Sequence, residues 1–216
     1  MEIKNVIVSF LAIVISLTVH EFAHAWMANR LGDPTPRQAG RLTLNPVVLF
    51  RAHPFGALLV PLIGSMTGFL IGWAATPVNP SRVRRSVSLR KAEFLISFAG
   101  PASNILLGLA AGLLYGALLR AGSLELEPLI HLARFLVFAN VILAVLNLIP
   151  VPPLDGFTVF RTVAPSSPAI GFLFQYGTII LLVILMYGAQ LFDPFLRLAG
   201  TFLMAMEPSL THGMRP

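Results

Sequence analysis

A predominantly apolar run from Val6 to Leu31 contains no Pro or Gly, and Gly32 followed by Pro34 supplies a helix stop at its end. Comparable apolar stretches lie near residues 92–119, 129–149 and 169–192, each long enough to cross a hydrocarbon core of about 30 Å as a helix. A fifth stretch, 54–75, is punctuated by Pro61, Gly64, Gly68 and Gly72, a pattern that suits a re-entrant or broken segment better than a full span. The hydropathy pattern therefore predicts an all-α polytopic membrane protein, a bundle of about four full spans plus one re-entrant or broken segment. Short strands or turns are accommodated in the Pro-punctuated stretches Asp33–Pro46 and Pro77–Pro80. No repeat, low-complexity tract or Ser/Gly-rich linker divides the chain, so residues 1–216 are expected to form one membrane-embedded domain. Gly108, Gly112 and Gly116 recur every four residues and predict a helix face for close packing. Asn104 stands four residues before that face and follows a Gly100-Pro101 break, where its amide needs a partner. The segment Phe195–Met206 reads as an interfacial helix.

Composition sharpens this. Hydrophobic residues make up 56% of the chain and charged ones only 11%, against about 25% charged in soluble domains, and the mean hydropathy is +0.81. The net charge of +6 does not point to nucleic acid, because nine of the fifteen Lys and Arg lie between Arg30 and Lys91. That clustering marks cytoplasmic loops under the positive-inside rule. With no Cys there are neither disulfides nor thiolate ligands.

Candidate chemistry sits inside the first apolar run, at His20-Glu21-Phe22-Ala23-His24. Charge and imidazole are expensive there. On a helix, residues four apart share a face about 6 Å apart, close enough for two imidazoles to grip one zinc ion. Glu21 then lies beside the ion, where it can take a proton from water.

Two His do not complete a catalytic zinc site, which takes three protein ligands and an open position. The candidates for the third are Asp33, His53, Glu93, His131 and Asp155. Asp155 is favoured: the run Pro150-Val151-Pro152-Pro153-Leu154 breaks the helix before it, and Gly156 frees the backbone after it. This choice constrains the topology. His20 and His24 lie roughly 24 to 30 Å from Lys4 by helical rise, near the exit of the first span, and Asp155 lies just past the exit of the 129–149 span. Both exits share a side only if the 54–75 stretch crosses zero times or twice. Charge agrees, since Arg30, Arg37, Arg41 and Arg51 precede that stretch while Arg82, Arg84, Arg85, Arg90 and Lys91 follow it.

These residues resemble the site-2 protease family of intramembrane zinc metalloproteases, in its compact prokaryotic form without a PDZ domain. The resemblance rests on His20-Glu21-Phe22-Ala23-His24, on Asn147-Leu148-Ile149-Pro150 leading to Pro153-Leu154-Asp155-Gly156, and on Ala99-Gly100-Pro101-Ala102-Ser103-Asn104 between them. It implies His20, His24 and Asp155 as ligands of one Zn2+, Glu21 as general base, and Asn147 as a residue that positions substrate or stabilises the oxyanion. It also implies a transmembrane protein or peptide as substrate, which must unwind to be cut. A strand edge near Leu42–Pro46 or Thr76–Pro80 is expected to offer that substrate backbone partners. The expected setting is a prokaryotic cytoplasmic membrane, with the lipid bilayer as partner, the active site toward the cytoplasm and no nucleic acid. Where many compact members carry Asp before Pro-x-Gly, this chain has His53-Pro54-Phe55-Gly56, which makes His53 a further candidate metal contact. The competing class is a non-proteolytic zinc-binding membrane protein, a degenerate protease or metal carrier. An intact Glu21 argues against it, because a pure binder has no use for a base beside the ion.

Overall fold

The computed structural model describes residues 2–67, 72–187 and 189–207, and every regular element among them is helical. The order is α1 (Ile3–Leu31), α2 (Thr35–Gln38), α3 (Pro46–Ala52), a π-helical stretch Pro54–Leu59 running into α4 (Val60–Thr67), α5 (Leu89–Ala121), α6 (Glu127–Leu148), α7 (Asp155–Val163), α8 (Ala169–Tyr187) and α9 (Ala189–Met206). Helices α1, α5, α8 and the stretch Leu124–Leu148 that contains α6 are long and apolar enough to cross a membrane. They match the four expected spans. The ends are set locally: Gly32 caps α1 in the left-handed conformation, and the Ser88 hydroxyl accepts the Lys91 N–H at the start of α5.

Helices α1, α5 and α6 form the centre of the bundle. Small side chains let their backbones approach: Ala12 and Ile13 of α1 meet Ala111 of α5 and Ala133, Val137 and Ala139 of α6 in one buried cluster. The glycine face of α5 is used as expected, with Gly108 against Asn140, Gly112 against Phe202 and Gly116 against Met206. One expectation is corrected: Pro101 does not break α5, which runs continuously through it. The C-terminal segment is helical as expected, and α9 packs back on the bundle with Ala199 and Leu203 buried, where Gly112 leaves a recess that Phe202 enters. Helix α8 buries almost none of its length and is seated where Gly177 meets Pro152.

Of the 54–75 stretch, residues 68–71, with Gly68, lie outside the described residues, and its two described ends lie side by side. Its helix from Pro54 to Thr67 advances about 20 Å by helical rise, yet Trp73 N donates to Gly56 O at 3.0 Å and His53 Nε2 donates to Ala75 O at 2.8 Å. The returning chain thus ends level with its starting point, the geometry of a re-entrant segment. Gly56 is required for this closure, since a Cβ there would strike the Trp73 backbone. Consequently the C-terminal ends of α1 and α6 and the N-terminal end of α5 share one end of the bundle. The Lys4–Glu127 ion pair, at 2.7 Å, marks the other.

Of the short strands or turns allowed for in the loops, only turns are found among the described residues. Thr35–Gln38 forms a helical turn and Pro80–Arg82 a tight 3-10 turn. Residues 73–79 form no helix, turn or ladder. Pro77 and Pro80 remove two of the donors a strand edge would need, and the segment is held instead by Asn79 N donating to Asp33 Oδ2 and by Thr76 on α1.

Candidate metal centre

One turn apart on α1, His20 and His24 bring their Nε2 atoms to 3.0 Å from each other. Asp155, the first residue of α7, brings Oδ2 to 3.1 Å from His20 Nε2 and 3.2 Å from His24 Nε2. The Pro-rich break before α7 turns this carboxylate back across the end of α6, and Gly156 permits the approach because a Cβ there would strike the Leu148 backbone. Both His are buried. The topological argument that separated α1 and α6 by one net crossing agrees with this convergence.

The outward nitrogens decide what the inward ones can do. His20 Nδ1 lies 2.6 Å from Asn104 Oδ1, and His24 Nδ1 lies 2.7 Å from Ile96 O. Oxygen is the acceptor in both pairs, so each neutral ring carries its proton on Nδ1 and turns an Nε2 lone pair inward. Asp155 Oδ2 is buried without a hydrogen-bond partner. Three electron-pair donors crowded together in this way call for a cation. A tetrahedral zinc ion with bonds of about 2.0–2.1 Å separates its ligands by about 3.3–3.4 Å, close to the spacing observed. The donor set fits zinc. The wall behind it is the bare backbone of Gly100, where a Cβ would run into both imidazoles.

Glu21 is buried beside the two His, and its Oε2 accepts the Thr76 hydroxyl at 2.7 Å. A cavity of about 170 Å³ joins Glu21 and the three donors to Thr76 and Asn147. Asn147 donates one amide proton to Leu143 O at 3.0 Å, which leaves its carbonyl oxygen and second proton for another partner. Replacing Thr76 by Val is expected to lower kcat/KM by about tenfold, equivalent to about 1.4 kcal/mol, with bound zinc unchanged and Ser restoring the rate. Parallel zinc analysis and kinetics check this.

The remaining candidates lie elsewhere. His53 bonds to Ala75 O and takes no place in the cluster. Asp33 is fully buried and caps Thr35 N at 2.9 Å as well as Asn79. Glu93 pairs with Arg161 at 3.2 Å, and His131 lies 3.3 Å from Glu127 at the opposite end of the bundle. Sequence reasoning missed Ser16, Asn140 and Thr76. For the first two a signal existed, a polar side chain in an apolar span, with Ser16 one turn before His20.

The fold and donor set define a helical membrane protein in which two His and one carboxylate are gathered closely enough to hold a metal ion. Residues 117–188 match the model of Peptidase family M50, a segment that includes Asn147 and Asp155. The chain is 34% identical over 163 residues to the "Putative zinc metalloprotease YwhC" of Bacillus subtilis, covering 73% of this chain and 69% of that protein. It is 32% identical over 186 residues to the "Putative zinc metalloprotease Rip2" of Mycolicibacterium smegmatis, covering 82% of this chain and 65% of the relative. These alignments span about two thirds of each relative's length. No solved structure gives a significant match. The chain belongs to peptidase family M50, the site-2 protease family of zinc metalloproteases, and is an integral membrane protein.

Proposed function

We propose that the protein is an intramembrane zinc-dependent endopeptidase that hydrolyses a peptide bond in or near a transmembrane segment of a membrane-protein substrate. Its setting is a prokaryotic cytoplasmic membrane, with the metal centre toward the cytoplasm. One observation carries this reading: the Glu21 carboxylate and the three candidate metal donors open into one cavity, which Ala74, Ala75, Thr76 and Val78 also line. The basic residues flanking the re-entrant segment support the cytoplasmic orientation.

His20, His24 and Asp155 would hold the ion, which when bound supplies a Lewis acid and water acidified toward neutral pH. Glu21 takes the proton of the attacking water and later returns it to the leaving amine. The Thr76 hydroxyl keeps Oε2 of this carboxylate facing the cavity. A helical substrate hides its carbonyls in intrahelical hydrogen bonds, and freeing them in hydrocarbon costs several kcal/mol per group. Residues 73–79, held in no helix or ladder, offer replacement partners, and Asn147, on the same cavity, keeps amide groups available for a scissile carbonyl.

The test is incubation of the full chain in detergent with labelled membrane-spanning peptides. Cleavage within or beside the apolar segment is expected, abolished by a chelator and restored by zinc. A zinc-loaded protein that leaves a varied peptide panel intact would support the non-proteolytic alternative, and cleavage unaffected by chelation would remove the metal from the reaction.

A further inference from the structure

The spanning helices bury three polar side chains completely besides the site itself: Ser16 of α1, Asn104 of α5 and Asn140 of α6, each 0% exposed. They form one chain of hydrogen bonds. Asn104 Nδ2 donates to Asn140 Oδ1 at 2.8 Å and to Ser16 O at 3.3 Å. Asn140 Nδ2 donates to Ser16 Oγ and to Leu136 O, both at 2.8 Å, and the Ser16 hydroxyl donates to Ala12 O at 2.7 Å. These partners fix which end of each amide is oxygen. With both Nδ2 protons of Asn104 committed to α1 and α6, its Oδ1 has one place to point, and there it meets His20 Nδ1 at 2.6 Å.

We propose that Asn104, aligned by Asn140 and Ser16, is a positioning residue for His20. Its side-chain oxygen keeps the proton on Nδ1 and orients the ring so that Nε2 faces the metal. A fastener between helices would need only partners on the three helices, whereas this chain spends its terminal acceptor on a ligand imidazole. His24 receives the same service from a backbone carbonyl, Ile96 O, next to Ser97, whose own carbonyl lacks its helical donor because Pro101 has no N–H. Groups that hold the outer nitrogen of a metal-binding His set its tautomer and strengthen it as a ligand. The inference rests on the metal centre and not on the choice of substrate.

The experiment therefore reads metal rather than cleavage, so it can fail while the proteolytic reading stands. Zinc affinity is measured on the full chain in detergent by competition with a chromogenic chelator. Asn104→Leu, which removes the acceptor, is expected to weaken zinc binding by about 10–100-fold, and Asn104→Asp, which keeps it, to recover most of that loss. Imidazole 15N NMR of the zinc-loaded wild type is expected to show His20 protonated at Nδ1 and metal-bound at Nε2. Unchanged affinity in Asn104→Leu overturns the proposal. So does Asn104→Asp binding as weakly as Asn104→Leu while unfolding like the wild type. Should Asn104→Leu not fold, the spectrum decides, and zinc on Nδ1 of His20 overturns the proposal outright.

Discussion

Glu21→Gln is expected to keep its zinc and to lose about 10²- to 10⁴-fold in kcat/KM, the range that a positioned acid-base group supplies. Gln matches Glu in volume, and its amide oxygen can still accept the Thr76 hydroxyl that holds Glu21 Oε2 at 2.7 Å. What it lacks is a site for the proton of the attacking water. The metal should be indifferent, because the three donors gathered within 3.2 Å of one another are His20, His24 and Asp155. Zinc by elemental analysis and turnover are measured on one preparation. Retained turnover removes Glu21 from the chemistry, and lost zinc makes it a ligand instead. Either result breaks the division of labour between the carboxylate on α1 and the carboxylate on α7.

Much of this site is legible in the chain because local and topological rules coincide at it. The His20–His24 spacing needs only the helical period, and the stop at Gly32 is local chemistry. Asp155 is a longer-range inference, drawn from the Pro-rich break before it and Gly156 after it; its choice then fixes the number of crossings, and the Arg residues on either side of the 54–75 stretch give the same count independently. The structure agrees where Trp73 returns to Gly56. What stays illegible depends on which faces meet. Asn140 is visibly out of place in an apolar span, but nothing in the sequence says that its neighbour is Asn104 rather than lipid-side water. Thr76 carries no signal at all, since its contact with Glu21 exists only because Asp33 and His53 hold residues 73–79 against α1. The strands allowed for in these loops illustrate the same limit. A Pro-spaced segment becomes a strand only if another edge is presented to it, and here a helix is.

Gly100→Ala is expected to cripple the metal centre through a single methyl group. The added Cβ would fall within contact of both His24 Nε2 and His20 Cε1, so at least one imidazole must swing away. Neither ring has a free direction in which to go. His20 is tied through Nδ1 to the fully buried Asn104, and His24 to Ile96 O, so moving a ring sacrifices a buried hydrogen bond as well as the ligand position. A displacement of about 1 Å in a catalytic constellation costs on the order of 10²-fold. Turnover is expected to fall by at least that factor, with zinc affinity weakened alongside it. Gly112→Ala, twelve residues on in the same helix, provides the control. Its Cβ would meet the ring of Phe202 on α9, a packing contact far from the donors, so it should lower the unfolding temperature and leave zinc affinity at the wild-type level. If the two variants bind zinc equally well, the close approach of the α5 backbone to the imidazoles has no part in shaping the site, and Gly100 is there for helix packing alone.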